Sequence, residues 1–184
     1  MSELIFDPST HTYTLRGQRL LSVTQVIDAA GLIDKQWFTD EHRLRGTAVH
    51  EAVLYDVQSD LDTTQLHELI AGYVEGWFAF KRDSKFLPIK KLCEKPQFHP
   101  LYLYAGTADL FGMLNCYPAL IDIKTGDSPT AGIQTSAYVE FPVFKGFMPK
   151  RFTLRLFKNG TYKLIEHTDK TDFKKFMECL KIAR

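Results

Sequence analysis

Residues 120–126 read Leu120-Ile121-Asp122-Ile123-Lys124-Thr125-Gly126, a short apolar run carrying one acid and one lysine. If the run is a β-strand, successive side chains point to opposite faces. Asp122 and Lys124 then share one face, while Ile121 and Ile123 point into a core. Hydrolysis of a phosphodiester needs such a pairing. A carboxylate holds a hard cation, and a neighbouring group positions or deprotonates water.

Upstream, residues 88–123 carry β-favouring side chains between Gly and Pro breaks. Ile89, Leu92 and Phe98 lead into Leu101–Tyr104, then Gly106–Leu114, then Ala119–Lys124. The pattern predicts three or four antiparallel strands. Asp109 falls in the middle of an otherwise apolar strand, where an unpaired acid would cost several kcal/mol. A cation shared with Asp122 on the adjacent strand would satisfy it. A salt bridge to an arginine, or a turn position, would also do so. Glu94 is a further candidate for the same cleft.

Downstream, residues 129–145 read as one helix with Pro129 near its first turn. Gln134 and Tyr138, four apart, share a face, and Ile133, Ala137 and Phe141 share the next. Residues 151–167 form the clearest hairpin, turning at Asn159-Gly160. A last helix from about Thr171 to Ala183 places Phe173, Phe176, Met177 and Leu180 on one side.

At the start of the chain, residues 3–21 read as short strands. Ser22 and Gln25 form a capping box for a helix that ends before Gly31. Residues 36–58 read as a helix interrupted near Gly46. The small residues 46–48 would let it pass close to another backbone. Ala48, Ala52 and Tyr55 form its stripe, with His50 off it. A lone histidine is usually a core or surface residue, so His50 gains meaning only with partners. Leu66, Leu69, Ile70, Tyr73, Trp77 and Phe80 mark residues 64–83 as a core helix.

The 184 residues, 45% apolar with 14 Phe, fit a single domain spanning 1–184 with a substantial core. No apolar run reaches the length of a membrane span, and the first residues do not resemble a signal peptide. The three cysteines are widely spaced and lack a Cys-x-x-Cys, which argues against a disulfide framework, a zinc site or an iron–sulfur cluster. A cytoplasmic setting is expected. The net charge of +1 decides nothing by itself and is compatible with an acidic metal site offset by local basic patches. Phosphate attraction would have to come from local groups such as Arg43, Arg45, Lys81, Arg82, Lys85, Lys90 and Lys91. Trp37 and Phe38 are candidates for stacking on unpaired bases, though core packing is the commoner role.

Four segments occur in order: Gly46-Thr47-Ala48-Val49-His50, Gly106-Thr107-Ala108-Asp109, Ile121-Asp122-Ile123-Lys124 and Gln134-x-x-x-Tyr138. Together they resemble the RecB-like, phage-type exonuclease branch of the PD-(D/E)XK nuclease superfamily. The opening Phe-Asp-Pro…His-x-Tyr…Ser-Val-Thr-Gln-Val stretch is also similar to small phage-type members. The resemblance implies an α/β fold with a restriction-endonuclease-like core, a central mixed β-sheet flanked by helices. It implies that His50, Asp109, Asp122 and the Ile123 carbonyl bind Mg²⁺ or Mn²⁺, and that Lys124 acts on the attacking water and the developing charge. Gln134 and Tyr138 would line the cleft; Arg45, from the local basic groups named above, is a candidate substrate contact on charge alone. The proline of the family's motif is Ala108 here, but the acid is kept. The implied activity is metal-dependent DNA hydrolysis, most simply exonucleolytic, in phage recombination or repair, beside a recombinase or single-strand-annealing protein. Oligomeric state is left open, since some related exonucleases form rings around DNA. A structure-specific endonuclease or nickase is the rival within hydrolysis. A catalytically silent nucleic-acid-binding protein, or a protein-interaction module that binds no metal, is the rival outside it.

Overall fold

The computed structural model describes residues 4–34 and 39–184. Trp37 and Phe38 lie outside them. The chain opens with a meander of β1 (Leu4–Asp7), β2 (Thr12–Leu15) and β3 (Gln18–Ser22). β3 runs directly into α1 (Val23–Ala29) through the expected capping box. Gln25 N–H donates to Ser22 Oγ at 3.1 Å, and Ser22 N–H donates to Gln25 Oε1 at 3.0 Å, so two otherwise orphaned donors are satisfied.

α2 (Asp40–Gln58) passes through Gly46 without a break. A Cβ at Gly46 would meet only Thr125 Oγ1, at 3.9 Å, so no close backbone demands a small residue there. Its buried stripe is Val49, Ala52, Val53 and Val57, and Tyr55 is half exposed. The expected stripe was one position out of phase. α3 (Glu68–Ser84) buries Tyr73, Trp77 and Phe80 as expected but leaves Leu69 exposed. Gly72 and Gly76 lie one turn apart on it. A Cβ on Gly72 would sit 1.8 Å from the Lys158 carbonyl oxygen, and one on Gly76 2.6 Å from that of Thr161. The turn of the last hairpin therefore seats against bare helix backbone.

The remaining strands are β4 (Leu87–Pro88), β5 (Lys95–Phe98), β6 (Tyr104–Ala108), β7 (Leu110–Leu114) and β8 (Tyr117–Lys124). Two helices follow, α4 (Ala131–Val139) and α5 (Pro142–Lys145), in place of the one expected over 129–145. Pro142 has no N–H to continue the ladder, and Phe141 before it is extended at φ −60°, ψ 136°. The hairpin of β9 (Lys150–Leu156) and β10 (Tyr162–Glu166) and the closing helix α6 (Asp172–Ile182) stand where the pattern places them.

The fold is mixed α/β, but among the described residues it holds two mixed five-stranded sheets rather than one. Their orders are β1-β2-β3-β6-β5 and β10-β9-β8-β7-β4. β3 and β6 pair in parallel, as do β8 and β9; the other pairings are antiparallel. The stretch Tyr104–Leu114 supplies β6 to the first sheet and β7 to the second, and Asp109 is the bend between them. Strands that change sheet at a bend are a common way to turn such a corner. One core lies among α2, α3 and the second sheet, around Trp77, Phe80, Ile121 and Leu154. The other lies among α1, α4, α6 and the strand junction, around Tyr104, Phe111, Leu120, Phe141 and Phe176. Among the described residues no helix is long and apolar enough to cross a membrane.

Candidate metal and nucleic-acid site

The central strand β8 behaves as its alternation requires. Ile121 and Ile123 are buried in the α2/α3 core, and Asp122 and Lys124 face the other way. Asp122 is 1% exposed. Its Oδ2 lies 2.9 Å from Lys124 Nζ, a close ion pair. The buried carboxylate is thus compensated by the ammonium beside it. Burial pushes the Asp122 carboxyl up to about 6 against the pull of Lys124. Burial would lower the Lys124 amine, but Asp122 and Asp109 outweigh it and hold it above its ordinary value.

Asp109 stands at the bend, not inside a strand. There its carboxylate reaches two elements at once. Ile123 N–H of β8 donates to Asp109 Oδ2 at 2.6 Å, and Oδ1 faces His50 Nδ1 at 3.4 Å. Burial alone would raise Asp109, but His50 and then Lys124 hold its carboxyl below the usual range. Glu94 enters from the first sheet. Its φ of +50° is an uncommon left-handed conformation for a residue with a side chain. Its N–H is shared between the carbonyls of Ala108 (3.0 Å) and Asp109 (3.2 Å). That clamp brings its Oε1 to 3.8 Å from His50 Nδ1. Burial pushes Glu94 up to about 7.

His50, on α2, joins the two sheets. Its Nε2 lies 3.0 Å from the Ile123 carbonyl oxygen. A carbonyl accepts and never donates, so Nε2 carries the hydrogen and Nδ1 is left to face two carboxylates. A bare lone pair there would be repelled, so a positive charge has to occupy the place. Burial alone would lower the imidazolium pKa, but Asp109 and Glu94 outweigh it and hold it up at about 10. A metal-bound histidine commonly donates its second nitrogen to a carbonyl in this way.

His50, Glu94 and Asp109 each present one ligand atom, all within 4.8 Å of one another, and so could hold a metal ion. One imidazole and two carboxylates form a donor set for a divalent cation. Glu94, the least supported candidate in the sequence, belongs to this trio. Asp122 does not; its carboxylate is turned to Lys124. The Ile123 carbonyl already accepts from His50 and keeps a second lone pair.

On α4, Gln134 Nε2 donates to Tyr138 Oη at 3.0 Å. Tyr138 is buried against Gly106 of β6, where a Cβ would stand 2.7 Å from its ring. Burial pushes its phenol well above the ordinary value, with Asp122 adding to the shift. The pair therefore flanks the acid–lysine face. Four of the basic candidates have partners elsewhere. Arg43 pairs with Asp40 at 2.9 Å, Lys81 with Asp56 at 2.5 Å and Arg82 with Asp83 at 3.3 Å. Lys90 reaches the end of α2, at Gln58 O and Ser59 Oγ. The Arg45 guanidinium lies 5.5 Å from the centre of the Tyr73 ring, with no hydrogen bond to Nε among the described residues. No protein-family model matches the chain, and no curated protein matches it.

Proposed function

We propose that this chain is a divalent-metal-dependent deoxyribonuclease, a RecB-like member of the PD-(D/E)XK superfamily acting most simply as an exonuclease. The observation that carries the reading is the meeting of His50, Glu94 and Asp109 within 4.8 Å, with the Asp122–Lys124 pair adjoining through Ile123. These residues come from α2, the approach to β5, the β6–β7 bend and β8, and a purely structural ion pair needs no such assembly. The second sheet, with the acid and lysine on its middle strand, supports the restriction-endonuclease-like core.

In this reading His50, Glu94 and Asp109 would hold Mg²⁺ or Mn²⁺, with Asp122 Oδ2 and the Ile123 carbonyl beside them. A bound cation would supply Lewis-acid polarisation of the phosphate and a lowered pKa for water. Lys124 keeps its proton among these acids, so it stabilises negative charge and orients water rather than abstracting a proton. Gln134 and the Tyr138 hydroxyl orient the strand. Action in recombination or repair beside an annealing protein follows from the same resemblance.

The test is cleavage of end-labelled single- and double-stranded DNA, linear and circular, with Mg²⁺, Mn²⁺ or EDTA, beside Asp122→Ala. Metal-dependent loss of linear DNA, absent in the variant, is expected. Cutting of closed circles would move the assignment to an endonuclease. Binding without cleavage in either metal would favour a silent scaffold.

A further inference from the structure

We propose that Arg155 is a second phosphate-binding side chain of this site, held in the DNA-free state by Asp127. The inference rests on the nuclease reading and adds a substrate contact that none of the four motifs contains. β9 lies parallel to β8, with Asp122 opposite Thr153 and Lys124 opposite Arg155. Register partners on adjacent strands share a face and stand about 4.8 Å apart. The alternate residues Phe152, Leu154 and Leu156 enter the α2/α3 core. Arg155 therefore rises beside Lys124 on the face that carries Asp122.

The state of the guanidinium points the same way. Arg151, on the same face of β9, is fully engaged: its Nη1 donates to the Gly132 carbonyl at 2.7 Å and pairs with Asp172 at 3.2 Å. Arg155 is not. Its Nη1 bonds to Asp127, whose side chain is 85% exposed in the loop between β8 and α4. Its Nε is shielded from solvent and has no hydrogen-bond partner among the described residues. Its Cζ lies over the Phe157 ring, 5.0 Å from the ring centre. An ion pair to so exposed a carboxylate is weak. A phosphate oxygen accepts from a guanidinium Nη as a carboxylate oxygen does. The Asp127 carboxylate thus stands where a phosphodiester would bind, and the two exchange.

The test measures binding of fluorescein-labelled single- and double-stranded DNA by the full chain in Ca²⁺ across a salt series. Thermal midpoints are read in parallel. Arg155→Gln is expected to bind about tenfold more weakly, with the slope of log K against log salt reduced by about 1. Asp127→Asn should bind more tightly than wild type, because it removes the competitor. The charge swap Arg155→Asp with Asp127→Arg restores the ion pair but should stay weak. Wild-type affinity and slope in Arg155→Gln, or recovery of binding in the swap, would leave Arg155 only a loop anchor and overturn the inference, while wild-type cleavage keeps the nuclease reading. A wild-type chain that neither binds nor cuts DNA overturns both.

Discussion

Glu94→Gln separates the cost of the site from its use. The glutamate is clamped in a left-handed backbone conformation and faces His50, Asp109 and the Asp122 region. Burial, aided by Asp109, raises its pKa from 4.5 to about 7. Between those values the folded chain holds a proton that the unfolded chain has lost. Stability therefore falls as pH rises through that window, and the full cost is present above pH 7. At about 1.4 kcal/mol per unit, the ceiling is about 3 kcal/mol. Glutamine keeps the shape without the charge. In EDTA the variant should match wild type near pH 4.5 and melt about 6–12 °C higher at pH 8 for a chain of this size. Added Mn²⁺ should raise the wild-type midpoint, since it binds the folded chain alone, and raise that of the variant much less. The assay is scanning calorimetry at several pH values with and without metal. A variant no more stable than wild type at pH 8, or a difference that does not change with pH, would refute the account of Glu94 as a destabilising acid kept for a cation.

Three further outcomes are expected. Lys124→Ala should abolish cleavage and, by stranding the buried Asp122 carboxylate, cost about 3 kcal/mol at pH 8; adding Asp122→Asn should recover most of that loss in a denaturant titration. Tyr138→Phe removes the acceptor of the 3.0 Å bond from Gln134 and should lower single-turnover cleavage while moving the thermal midpoint little, because the ring stays packed on Gly106. Gly72→Ala places a methyl 1.8 Å from the Lys158 carbonyl and should cost at least about 2 kcal/mol in urea unfolding, since backbone on both sides leaves nothing soft to move.

Much of the site was legible because it depends on short-range rules. The two-residue period of a strand put Asp122 and Lys124 on one face. The four-residue spacing of a helix put Gln134 within reach of Tyr138. The Ser22–Gln25 box and the Asn159-Gly160 turn are local chemistry, and both elements form as read. Glu94 was legible only as a nearby acid, because its position depends on the Ala108 and Asp109 carbonyls, fourteen and fifteen residues on. The stretch around Asp109 carries no glycine or proline at the bend itself, so it reads as one strand.

The sequence by itself determined the kinds of elements, the two-sided character of β8 and the residue types able to meet a divalent cation. Only the tertiary structure decided that Tyr104–Leu114 serves two sheets, that Glu94 joins His50 and Asp109 while Asp122 turns to Lys124, and that Arg155 stands beside that lysine. The physical reason is range. Propensity, capping and alternation act over a few residues, whereas a parallel register or a shared cation binds residues tens of positions apart, and their spacing in sequence carries no trace of it.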